Sequence, residues 1–376
     1  MNGTRLGEMN SRSNSIGFIR LVAATAVIIG HSFPAGGFSE WDITLVWTNN
    51  QAGLARTSVD VFFILSGFLI AQSFARTSSV WVFAWHRFLR IYPAFWTVLV
   101  VTGFVVAPLS ASVIGWEYMT MSAPLITGVK GFIPGVLENA PLAGINDSLW
   151  TLPWELRAYV LIGALGALSI LRKWPVLALF LGSWAWMTFD IISASGSESF
   201  STINSGVRLF TFFLAGTLFY LLREQIVMKL HVFIMSATVL VTALVAGLFI
   251  VDSAGGLFYI VAPVPLAYCT FWLAINLPNW FRQINSSYDY SYGIYIYGTL
   301  ILNILAAAGL NNNWFLYVGI DLVATLVLAA LSWHFIERPA LSLKSVRLIR
   351  EEGALRLRRG THAPLASLGR QPNSDV

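Results

Sequence analysis

The sequence predicts an all-α, polytopic membrane helix bundle of about ten transmembrane helices, with the N and C termini cytoplasmic. Composition is the first observation. The chain is 56% hydrophobic and 11% charged, where a soluble domain carries about 25% charge, and its mean hydropathy is +0.69. Aromatic content is the second: 15 Trp, 12 Tyr and 26 Phe suit belts at the two membrane surfaces. The third is the alternation of basic and acidic connections described below.

Apolar runs long enough to span predict helices near 16–33, 57–75, 91–109, 149–170, 174–192, 206–222, 231–251, 258–277, 289–308 and 314–337. With the N-terminus inside, the inner connections hold Arg76, Arg87 and Arg90, then Arg172 and Lys173, Arg223 and Lys229, and Arg282. The tail adds Lys344, Arg347, Arg350, Arg356, Arg358 and Arg359. The opposite connections hold Glu40, Asp42, Glu117, Glu138, Asp147, Glu198 and Asp252, with Lys130 the basic exception. This is the charge asymmetry of a membrane protein oriented by its basic loops. The net charge of +5 therefore reflects juxtamembrane groups and does not indicate nucleic-acid binding. The single cysteine, Cys269, excludes an intramolecular disulfide. One membrane domain is expected over 1–340 and a basic, flexible cytoplasmic tail over 341–376. The one long outer connection, 110–148, is rich in Gly, Pro and Ser, and its length suggests a lid or substrate cover.

Ionisable residues inside membrane helices are costly and mark function by default. Arg20 and His31 are separated by ten residues in an apolar stretch. Eleven helical steps of about 100° bring both near one face, about 16 Å apart along the axis. Arg20 is expected near the cytoplasmic side and His31 near the outer one. Asp60 begins the next helix at the outer level, either as part of a site or as a carboxylate favoured by the helix N-terminus. Glu155 lies below the first turn of the fourth helix, among Trp154, Leu156 and Tyr159, where an unpaired carboxylate costs several kcal/mol. A carboxylate close to His31 would raise its basicity and fix its tautomer, so Glu155 is its expected partner. Arg87 and Arg90, three apart on one helix face, could clamp a phosphate or anchor the chain among headgroups. An outer His–carboxylate pair, an inner arginine cluster and a polar route between them suit an enzyme that uses an anionic cytoplasmic donor. They equally suit an anion or polysaccharide-precursor transporter.

The motifs separate these readings. Beyond Arg20 and His31 there is Val59-Asp60-Val61-Phe62-Phe63-Ile64-Leu65-Ser66-Gly67-Phe68-Leu69-Ile70. Then come Arg87, Arg90, Tyr92 and Pro93; Ser148-Leu149-Trp150-Thr151 with Leu152 and Glu155; Ser291-Tyr292-Gly293-Ile294-Tyr295; and Glu337-Arg338-Pro339. In this order they resemble the membrane acyltransferase-3 family, the integral membrane O-acyltransferases of bacterial surface carbohydrates, over about residues 14–340. The resemblance implies transfer of an acyl group, usually acetyl, from cytoplasmic acyl-coenzyme A to a sugar hydroxyl in the bacterial inner membrane, without a metal. The acceptor would be an extracytoplasmic or lipid-linked carbohydrate, such as lipopolysaccharide or exopolysaccharide. Envelope polysaccharide biosynthesis proteins are possible partners. It also implies His31 as catalytic base with Arg20 on the same path, and Arg87 and Arg90 near the coenzyme A phosphates. Two positions depart from the family pattern: Ile16-Gly17-Phe18-Ile19, where many members carry Asp, and Gly298, where many carry His.

Overall fold

A computed structural model describes residues 4–9, 13–40, 42–49, 51–77, 79–142, 144–193, 202–249 and 256–344. Glu198, Asp252 and the tail beyond Lys344 lie outside the described residues. The main helices are α1 (Ile16–Ala35), α2 (Leu54–Ala75), α3 (Val80–Val101), α4 (Leu152–Ala167), α5 (Lys173–Ser193), α6 (Thr202–Leu221), α7 (Leu230–Phe249), α8 (Pro263–Asn276), α9 (Ser291–Ala307) and α10 (Trp314–Ser332). A helix therefore lies at each segment expected from hydropathy. Among the described residues, six are long and apolar enough to cross a membrane: α1, α2, α3, α5, α7 and α10. Of the rest, α4, α8 and α9 are shorter, at 16, 14 and 17 residues. A two-stranded ribbon pairs Thr4–Arg5 with Val227–Met228, tying the N-terminal segment to the α6–α7 connection.

Burial separates a central group from a peripheral one. In α7 the most apolar window has mean hydropathy 2.4 yet is only 11% buried, which marks a face made for lipid. In contrast, α9 buries both faces, including Tyr292, Tyr295, Thr299 and Asn303. The tightest central contact is between α2 and α6. A Cβ at Gly67 would lie 1.9 Å from the Phe213 carbonyl oxygen, and one at Gly216 would lie 1.9 Å from the Ile64 carbonyl oxygen. Small residues let the two backbones meet, as membrane helices require when no hydrophobic force drives them together. Gly298 has a similar reason on α9: a Cβ there would lie 2.5 Å from the Ile28 side chain of α1.

Two helices continue through single wide turns. In α3 the turn is Thr102–Val106, and the helix runs on to Ala111. In α10 it is Trp333–Glu337, and the helix runs on to Lys344. The Ser332 hydroxyl donates to Glu337 across that second turn (3.2 Å). Such turns are frequent at functional sites.

The long connection between α3 and α4 covers the bundle only in part. Its early portion forms a short helix, Trp116–Ser122. Its carbonyls then accept from α3 and α4: Pro124 from Tyr92 (2.9 Å), Ala123 from Trp96 (3.1 Å) and Ile126 from Arg157 (2.9 Å). Its last portion descends into the bundle along α9. Asn303 donates to the Gly144 carbonyl (2.8 Å), Asn146 donates to the Ile296 carbonyl (2.8 Å), and the Thr299 hydroxyl donates to the Asn146 side chain (2.6 Å). Lower still, Tyr295 donates to the Ser148 carbonyl (2.8 Å) and its hydroxyl meets that of Thr151. From Asn303 to Tyr295 is about 12 Å of helix. Non-helical backbone at membrane depth is tolerated only where protein supplies its hydrogen bonds, and α9 supplies them here. The descent starts α4 deep in the bundle.

Gly67→Val should lower thermal stability in detergent by roughly 3 kcal/mol or more. Gly182→Ala on α5, where a Cβ meets nothing within 4 Å, should change it by less than about 0.5 kcal/mol. Equal melting temperatures for the two variants would contradict the close contact.

Candidate active site

The site is a cavity among α1, α2, α3, α4 and α9. Arg20, Arg87 and Arg90 line it together with Ser66, Glu155, Tyr159, Ser291, Tyr292 and Tyr295. Apolar side chains, among them Phe62, Phe63, Leu69 and Ile91, form the rest of the wall. This is the composition of a small-molecule site: mostly apolar, with a few convergent polar groups.

The arginines meet at Asp289, in the connection before α9. Arg90 binds its carboxylate at 2.6 Å and Arg20 at 3.3 Å. Asn285 (3.2 Å) and Ser291 (2.5 Å) donate to the other oxygen. Burial alone would raise the Asp289 pKa, but the two guanidiniums and these donors hold it well below its ordinary value of 3.8. Arg90 also lies 3.6 Å from Glu337 and over the Tyr292 ring at 5.4 Å. Arg90 is thus committed to two carboxylates. Arg87 has none within ion-pair distance among the described residues. It donates to the Ser73 hydroxyl (3.3 Å), lies over the rings of Tyr159 and Phe83, and leaves its buried Nε without an acceptor. The expected Arg87–Arg90 pair is therefore unequal: Arg90 is ion-paired to Asp289 and Glu337, and Arg87 to no carboxylate among the described residues.

Glu155 accepts from the Tyr159 hydroxyl and from Ser66 (3.4 Å), inside the cavity. Those are its hydrogen-bond partners, and the expected Glu155–His31 pair is not what the structure brings together. The carboxylate within electrostatic reach of His31 is Asp147, at the top of the descending segment. A Cβ at Gly144 would lie 2.0 Å from that carboxylate, so the Asp147 side chain lies directly against the Gly144 backbone. Nδ1 of His31 is 2.8 Å from the Val27 carbonyl. A carbonyl only accepts, so Nδ1 carries a proton, and in the neutral ring Nε2 is the nitrogen with the lone pair. His31 does not line the cavity with Arg20; it stands further along the same helix, as the spacing predicts.

Asp60 is fully buried and ion-paired with Arg208 of α6. Arg208 and Arg56 both lie over the Tyr259 ring. This cluster joins α2 to α6, and Asp60 is not among the residues that line the cavity. Sequence reasoning overlooked Arg208 and Asp289. The signal for the first was a lone arginine inside an apolar run, and for the second a lone acid in a basic inner connection.

The acyltransferase-3 family, described as an acyltransferase domain, matches residues 13–334. The chain is 28% identical to a nodulation protein, "Nodulation protein 10" of Rhizobium leguminosarum bv. viciae, over 90% of this chain and 97% of that protein. It is 26% identical to an "O-acetyl transferase" of Shigella phage Sf6 over 90% of this chain and 98% of that protein. A shorter likeness, 28% identity over 40% of this chain and 38% of the relative, is to "Acyltransferase MdmB" of Streptomyces mycarofaciens. No solved structure matches.

Asp60→Asn should destabilise the protein by about 3–5 kcal/mol, because it strands a buried guanidinium. The double variant Asp60→Leu/Arg208→Met should recover most of that loss in thermal unfolding. A double variant no more stable than the single one would contradict the pairing. The Asp289 pair predicts a pH dependence of fixed sign. A depressed carboxyl stabilises the fold above its ordinary value of 3.8 and loses that contribution as pH falls through the native value. The difference in melting temperature between wild type and Asp289→Asn should hold steady above about pH 4 and shrink below it.

Proposed function

Because the chain belongs to the acyltransferase-3 family and is an O-acyltransferase with several apolar helices of membrane-spanning length, we propose that it moves an acetyl group from cytoplasmic acetyl-coenzyme A to a carbohydrate hydroxyl on the far side of the bacterial inner membrane. The observation that carries this reading is the arginine-lined cavity, placed on the helix that also bears His31. In this reading the ten helices all cross the membrane, with both termini cytoplasmic. Arg20, Arg87 and Arg90 then lie towards the donor side and His31 towards the acceptor side. A relative named for O-acetyl transfer supports the choice of acetyl.

The donor thioester enters the cavity from the arginine side. The acceptor hydroxyl approaches His31 from the other. As its oxygen forms the new bond to the thioester carbonyl carbon, its proton passes to Nε2 of His31. The carbon–sulfur bond breaks, and the departing thiolate recovers that proton from the imidazolium. The Val27 carbonyl holds the ring in the tautomer that leaves Nε2 open, and Asp147 stabilises the imidazolium between the two transfers. Glu155 offsets the arginine charge and orients Tyr159 and Ser66 within the chamber. The acceptor is a polysaccharide or glycolipid of the envelope.

His31→Ala should lower acetyl transfer from labelled acetyl-coenzyme A to endogenous glycan in membrane vesicles by about 10²–10⁴-fold, with protein level unchanged. Label equal to wild type would remove His31 from the mechanism. Wild-type vesicles that carry glycan across without consuming acetyl-coenzyme A would favour the transporter reading. Asp147→Asn should lower kcat while leaving the donor KM unchanged; an effect confined to donor KM would remove its role at the imidazole.

A further inference from the structure

Three basic side chains come together at the arginine end of the bundle, and among the described residues none of them has a carboxylate within ion-pair distance. His86 and Arg87 are consecutive on α3, and Lys344 ends the extension of α10. The Lys344 ammonium is close enough to interact with Arg87, Arg90 and His86. Among the described residues it takes part in no ion pair or hydrogen bond. Arg90, beside these three, differs from them, since Asp289 and Glu337 already hold it. Nε2 of His86 and Nε of Arg87 are both buried without a partner. Gathering like charges around unsatisfied donors is unfavourable in the free protein. A polyanion seated among them would remove both penalties through charge-assisted hydrogen bonds.

We propose that Lys344, with Arg87 and His86, forms a phosphate-binding subsite at the mouth of the cavity. This rests on the donor reading above and assigns the subsite to the nucleotide phosphates of coenzyme A. Arg87 is part of the cavity wall, whereas Lys344 stands outside it. A nucleotide held at Lys344 would therefore remain at the mouth while its pantetheine arm passes Arg87 into the chamber. The geometry moves the phosphate clamp from the Arg87–Arg90 pair to Arg87 and Lys344. It also places a donor residue beyond position 334, where the family match ends.

Purified full-length protein in bilayer discs tests this through binding of coenzyme A and of pantetheine, which lacks the nucleotide phosphates. Lys344→Ala should weaken coenzyme A binding about tenfold, about the worth of one charge-assisted hydrogen bond. Pantetheine binding should not change, and Lys344→Arg should restore coenzyme A affinity. Equal coenzyme A affinity in wild type and Lys344→Ala would overturn the subsite while leaving the donor reading intact. Wild-type protein that binds neither compound would overturn both. A loss in Lys344→Ala that appears only in discs containing phosphatidylglycerol would assign the phosphate to a lipid headgroup and overturn the coenzyme A assignment.

Discussion

Asp289 is the charge on which the cavity depends. A guanidinium cannot remain unbalanced in the interior of a membrane bundle without a large desolvation cost. One carboxylate in the connection before α9 answers Arg20 of α1 and Arg90 of α3 together. Asn285 adds a link to the first turn of α1 by donating to the Gly17 carbonyl (3.0 Å). The wide turn of α10 brings Glu337 to the remaining side of Arg90. Four helices converge on this ion network, and two of the side chains it holds, Arg20 and Arg90, line the cavity. Two of the arginines that line the cavity are thus satisfied internally, and the third, Arg87, forms no ion pair among the described residues.

Backbone satisfaction shapes the other end. The connection into α4 brings peptide groups to a depth where water cannot serve them. Asn146, Ser148, Thr299, Tyr295 and Asn303 replace that water through a ladder of hydrogen bonds along α9. Two consequences follow from this descent. Asp147 comes within electrostatic reach of His31, and Glu155 enters the cavity in the first turn of α4. The length of the connection is explained by this internal path as much as by covering the surface.

Much of the architecture was legible because hydropathy and helical periodicity are local properties. All the apolar segments read from the chain became helices, and the common helix of Arg20 and His31 follows from their spacing alone. Partner choice was not legible, because it depends on helix depth. A reading that places every helix start at the membrane surface puts Glu155 beside His31; the descending segment shifts α4 inward and gives that place to Asp147. For the same reason the pairing of Asp60 with Arg208 could not be read from the chain. Arg87 and Arg90 look equivalent at a spacing of three residues, and only the tertiary position of Asp289 and Glu337 distinguishes them.

The central claim is that the arginine-lined cavity receives the donor from the side carrying the basic connections. Its most direct measurement is cysteine accessibility in a Cys269→Ser background, with Ser66→Cys as the reporter on the cavity wall. A membrane-impermeant thiol reagent should label that cysteine from the cytoplasmic face of inverted vesicles, and acetyl-coenzyme A should protect it. Labelling only from the opposite face, or labelling that acetyl-coenzyme A does not diminish, would contradict the account.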